Sequence, residues 1–161
     1  MTLREYVKNR FGGIILNGKH KADGQACILE ARNSYLGNDW SDSPTSSNRP
    51  DIRPLNDARW STNALRTEHM LRLDEALEPW ETWSAKERRA YIGRVVIATV
   101  RELIADLPGL PDKVRDQCRA AATQGGVGGV AWAAARAAEE AAKADTVLIR
   151  AVDLWIKAVK P

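Results

Sequence analysis

The chain is poor in most of the residues that announce a mechanism: two cysteines, two histidines and one phenylalanine among 161 residues, with a formal net charge of only +3. Cys27 and Cys118 cannot build a disulfide framework and suit a reducing compartment. So slight a cationic surplus is far from the clustered charge that grips a phosphate backbone, and a nucleic-acid partner is not expected. No apolar run approaches the roughly 20 residues that span a bilayer. The longest candidate, Tyr91 to Ile104, is broken by Arg94, Arg101 and Glu102. Near the N-terminus, Arg4, Glu5, Lys8 and Arg10 precede only a short apolar stretch, unlike a secretory signal. Gly125 to Gly129 lacks the Lys-Ser/Thr ending and the preceding strand of a phosphate loop and reads as a flexible joint. A cytoplasmic protein with no cofactor and no membrane partner is the expectation.

What is present is helical pattern. Thr2-x-x-Glu5 is a capping box opening a helix over Leu3 to Arg10, which Gly12-Gly13 ends. Ile14 to Leu16 reads as extended coil. Asp23 is placed to cap a second helix from about Gly24 to Leu36, stopped by Gly37-Asn38, with Cys27, Ile28, Ala31 and Tyr35 on one arc. Ser41 to Pro54 holds three prolines and four serines and reads as a long flexible loop extending to residue 56. Helix returns from Asp57 to Glu78, where Pro79 closes it. A second capping box, Ser84-x-x-Glu87, opens a core helix with Ile92, Val96, Val100, Leu103 and Leu107 as its stripe, widened by Val95 and Ile104. Pro111 starts another helix through Ala122, and residues 126–160 read as Ala-rich C-terminal helices. The sum is an all-α fold, a compact bundle of about five to seven helices in a single domain over 1–161 with one long Pro/Ser-rich loop.

The densest group of reactive side chains lies between Gly18 and Glu30. Cys27 in the first turn of a helix would have its thiolate favoured by the helix N-terminus, with His20 or His69 as the base and Glu30 as the acidic partner. The competing reading packs Cys27 as a small apolar residue. As a metal site, His20, Cys27, Glu30 and Asp42 offer imidazole, thiolate and carboxylates, but the spacing matches no paired Cys-x-x-Cys signature. In a third reading Glu30 is a polar anchor, accepting backbone amides from the Asp39 to Ser43 loop.

The order Gly18-x-His20, Cys27-x-x-Glu30-Ala31 and Gly37-x-x-Trp40-Ser41-Asp42-x-Pro44 resembles the N-terminal motif of a family of uncharacterised actinobacterial and bacteriophage proteins. The Ala-rich, Trp-punctuated stretch from Ala131 to Ala138 is similar to that family's tails in composition. The resemblance covers residues 18–44 and implies a phage or mobile-element origin. Where relatives often carry Asp-His-Pro-x-Cys, this chain has Asp42-Ser43-Pro44-Thr45-Ser46, so half of any His/Cys ligand set is missing. That departure favours a helix-plus-loop brace over a zinc site.

Six tryptophans supply the remaining lead, since Trp is enriched at interface hot spots; Trp40, in the polar loop, is the one expected to be most accessible. Two functions stand. One is a small helical interaction protein that binds a host or phage protein through a helix face and the loop, with Trp40, Asp42, Arg49 and Arg53 as binding residues. A homo-oligomer is possible through Ala134, Ala138 and Ala141. The other is a cysteine-dependent or metal-assisted hydrolase built on His20, Cys27 and Glu30.

Overall fold

A computed structural model describes residues 1–108, 110–120 and 145–159. Every regular element among them is helical: α1 (Leu3–Arg10), α2 (Ile28–Tyr35), α3 (Arg53–Asn56), α4 (Asn63–Ala76), α5 (Ala85–Ala98), α6 (Asp112–Ala120) and α7 (Asp145–Lys157). The all-α expectation therefore holds. Among the described residues, no helix is long and apolar enough to cross a membrane. The glycine joint at 125–129, Trp132 and the alanine faces at 134, 138 and 141 lie outside the described residues.

The chain divides into two compact units, Met1–Glu81 and Thr82–Pro161. In the first, α1 begins at the expected capping box: Thr2 Oγ1 accepts the Glu5 amide, and the Glu5 carboxylate accepts the Thr2 amide. Its buried face, Leu3 and Val7, packs towards α2, which in turn meets α4. Ile15 follows in extended backbone, fully buried, with its amide donated to Thr67 Oγ1 on α4. The Leu16 amide bonds the Ala26 carbonyl, and Asn56 Nδ2 bonds the Leu16 carbonyl, so this coil is tied on both sides.

Helix α2 starts later than expected. Asp23 is not its cap; Cys27 is, with φ −80° and ψ 174°, and Glu30 at the third helical position completes a capping box. At the other end Leu36 is the C-cap and Gly37 adopts φ +75°. The Gly37 amide reaches the Ser34 carbonyl and the Asn38 amide the Asn33 carbonyl, the paired bonds of a Schellman motif, which require the left-handed residue that glycine supplies.

The 41–56 segment, expected as a flexible loop, is partly buried. A turn at 44–48 brings the Arg49 amide to the Pro44 carbonyl, Ser47, Arg49 and Ile52 are buried, and α3 forms within the segment. Loop backbone can be buried only where its polar groups are satisfied, and here the side chains of α2 do this. Arg32 Nε donates to the Ser47 carbonyl, and Asn33 Nδ2 to the Ser41 carbonyl. Helix α4 starts at Asn63, capped by Thr62, rather than at Asp57, because Arg66 occupies the preceding backbone by donating to the carbonyls of Asn56 and Ala58.

In the second unit, Ser84 and Glu87 form the expected capping box of α5. Of the expected stripe, Val95, Val100, Leu103 and Leu107 are buried, whereas Ile92, Val96 and Ile104 are only partly so, and Tyr91 is buried beside them. The helix also ends earlier, passing at Thr99 into a π turn and then a 3₁₀ turn at Ile104–Asp106. That change of pitch carries Val100 and Ala105 onto Leu110 and Cys118 as one apolar cluster. Tyr91 packs its ring against Trp83 and Trp155 and donates its hydroxyl to the Trp155 carbonyl at 3.1 Å.

Candidate functional site

Three of the candidate catalytic residues do converge, and the geometry that joins them is that of a brace. Glu30 is fully buried in the first turn of α2. One carboxylate oxygen accepts the His20 amide at 2.7 Å; the other accepts the Cys27 amide at 2.8 Å and faces His20 Nδ1 at 3.0 Å. A buried carboxylate needs several donors to replace its lost hydration, and these three supply them. Trp40 closes the ring from outside: its indole N–H donates to the His20 carbonyl at 2.8 Å, and its ring meets Phe11 edge-on. The Gly18–Ala26 segment, α2 and the loop after α2 are thus fastened at one point. Glu30 acts as an anchor, but for the amides of His20 and Cys27; the Asp39–Ser43 loop is held instead by Asn33 and Trp40.

The same geometry works against turnover. Cys27 is 2% exposed, and its sulfur accepts the Glu30 amide at 3.5 Å as the cap of the helix. Burial pushes the thiol up to about 12, and the Glu30 carboxylate beside it adds to the rise. The expected lowering by the helix N-terminus is outweighed by desolvation. The His20 imidazole spends its Nδ1 on Glu30, and His69 is buried and stacked on Trp60 at 5.4 Å between centroids. Asp42 lies 3.8 Å from Lys19 Nζ. Among the described residues, no three or more His, Cys, Asp or Glu side chains gather so as to hold a metal ion.

The expected binding residues separate. Arg53 is partly exposed and paired with Asp51, and Trp40 is half-buried in the brace. Arg49 lies in the interior with no side-chain exposure. Its guanidinium joins Arg32 around Asp74: Arg49 Nε lies 2.7 Å and Arg32 Nη1 2.9 Å from the two Asp74 oxygens. Glu81 completes the group through a single oxygen that accepts from both arginines, at 3.0 Å from Arg49. Burial lowers the Arg32 pKa, against the upward pull of Asp74 and Glu81. The sequence reading passed over this cluster. Its signal was a carboxylate on a buried stripe, since Asp74 stands four residues after Met70 and three before Leu77.

On the surface of the same unit, Val7, Ile14, Ala64 and Leu71 line an open, mostly apolar cleft of about 260 Å³ rimmed by Lys8 and Glu68. Among the described residues, Ile14 is one of the few large apolar residues left exposed. Comparison with known protein families, curated proteins and solved structures finds no match for the chain.

Proposed function

We propose that this is a small helical protein that acts by associating with another protein, and that its origin is a phage or mobile element. The observation that carries the reading is the closed brace: the thiol is buried and held in its protonated form, and its neighbours are spent on backbone amides. A nucleophile needs thiolate and access, and this one has neither. The cleft at Ile14 supports association, because it offers apolar surface with charge at its rim, as protein contact sites do.

Two measurements test the reading. Iodoacetamide should leave Cys27 of the folded protein unmodified at neutral pH and label it only after denaturant. Rapid alkylation well below pH 8, lost in His20→Ala, would favour the cysteine hydrolase instead. For the association itself, a cross-linked partner recovered with the wild type should disappear with Ile14→Asp. Equal recovery by both would remove the cleft from the contact, and light scattering after size exclusion would show whether the partner is a second copy of this chain.

A further inference from the structure

The apolar cleft of the first unit is walled by α1, with Val7 and Lys8, and by α4, with Ala64, Glu68 and Leu71. Ile14 and Ile15 follow one another in extended backbone, whose successive side chains point to opposite sides. Ile15 is fully buried, and Ile14 is left 37% exposed at the cleft. The Thr67 hydroxyl, also in the lining, already donates to the Asn63 carbonyl at 2.7 Å and accepts the Ile15 amide at 2.9 Å. What the interior of the cleft offers a partner is therefore apolar surface.

The charges at its rim are unevenly spent. Arg4 reaches across to α4, where its Nε lies 2.8 Å from Glu75 and its Nη1 2.8 Å from Glu68. Two carboxylates share that one guanidinium, which leaves a negative charge in excess on the α4 wall. Lys8, one turn further along α1, is exposed, and among the described residues no carboxylate pairs with it. One wall thus carries surplus positive charge and the other surplus negative charge, with apolar surface between them. A two-fold axis running along such a cleft lays α1 of each copy over α4 of the other, so that Lys8 meets the partner's Glu68 at two equivalent crossings and the apolar surfaces cover one another. The patch is complementary to itself. We propose that the cleft between α1 and α4 is the contact surface of a homodimer, occupied by the same cleft of a second copy of this chain. The inference rests on the association reading above and gives the partner. A contact built on one small cleft makes an exchanging dimer, not an obligate one.

Sedimentation equilibrium of the full chain, from micromolar to millimolar concentration, tests it. The wild type should dimerise as concentration rises, and Ile14→Asp should stay monomeric. Lys8→Glu and Glu68→Lys, each alone, set like charges against each other at both crossings and should weaken self-association by at least about tenfold. A one-to-one mixture of these two variants restores opposite charges at both crossings, and its mixed dimer should match the wild type to within about threefold. A variant that had merely failed to fold would not be rescued by mixing. A wild type that stays monomeric throughout, an Ile14→Asp variant that dimerises as the wild type does, or a mixture no tighter than its components would overturn the homodimer. A monomeric wild type that still forms an Ile14-dependent cross-link to a different protein would overturn the second copy alone; with neither contact formed, the association reading falls with it.

Discussion

The two units solve the same problem, burying a chain with modest apolar content, in opposite ways. Every buried polar or charged residue among the described residues lies in Met1–Glu81: Glu30, Arg32, Asn33, Arg49, Asn56, Arg66 and Asp74 are among them. In Thr82–Pro161 the described interior is apolar, and the ion pairs, such as Asp106 with Arg150 and Lys157 with Glu102, stand at the surface. The difference follows from loop content. The first unit buries long irregular segments, whose backbone groups cannot satisfy one another and so require side chains that reach them. The second buries helices, which satisfy their own backbone. Polar residues inside the first unit are thus structural before they are anything else.

Disrupting that polar interior should produce the largest effects. Asp74→Ala would leave Arg32 and Arg49 sharing only Glu81, and breaking a buried pair in this way costs about 3–5 kcal/mol. Urea titration should show a lowered midpoint of that order. Glu30→Ala orphans the donors of His20 and Cys27, and with hydrogen bonds to charged groups worth about 1.5–3 kcal/mol each, a loss of about 3 kcal/mol or more is expected. Circular dichroism on melting would record it.

Alkaline pH provides a further contrast. The Cys27 thiol titrates higher in the fold than its ordinary value of 9.0, so its contribution is fully present below that value and declines as pH rises towards about 12. Stability should fall over that window, and less steeply in Cys27→Ser, which keeps a capping atom but has no thiol to ionise. In the second unit the effects should be smaller. Ser84→Ala removes an exposed N-cap at a cost of about 1 kcal/mol, and Asp106→Ala should leave the urea midpoint within error. A large loss for either would break the contrast between the units.

The fold class and several helix boundaries were legible because the usual signals were present. Thr2-x-x-Glu5 and Ser84-x-x-Glu87 mark two helix starts, and Gly37 one helix end. The start of α2 was missed because its cap is a cysteine; Cys27-x-x-Glu30 has the same spacing as the other two boxes, but sulfur is not a customary capping atom. The loop after α2 read as flexible because prolines and serines carry no periodicity, while what holds it, Arg32, Asn33 and Trp40, lies elsewhere in the sequence. The early end of α5 was missed because the turn of different pitch at Thr99–Leu103 has no sequence signal of its own. At the site, the proximity of His20, Cys27 and Glu30 was legible, whereas their burial, which decides between chemistry and bracing, depended on the rest of the unit.

The claim on which the account turns is that the Glu30 carboxylate fastens the His20 and Cys27 amides. Hydrogen exchange read at those two amides, in the wild type and in Glu30→Gln, tests it directly. The account predicts slow exchange in the wild type at both positions and acceleration of more than about tenfold in the variant, equivalent to about 1.4 kcal/mol of lost protection. Fast exchange at either amide in the wild type, or rates unchanged by Glu30→Gln, would contradict it.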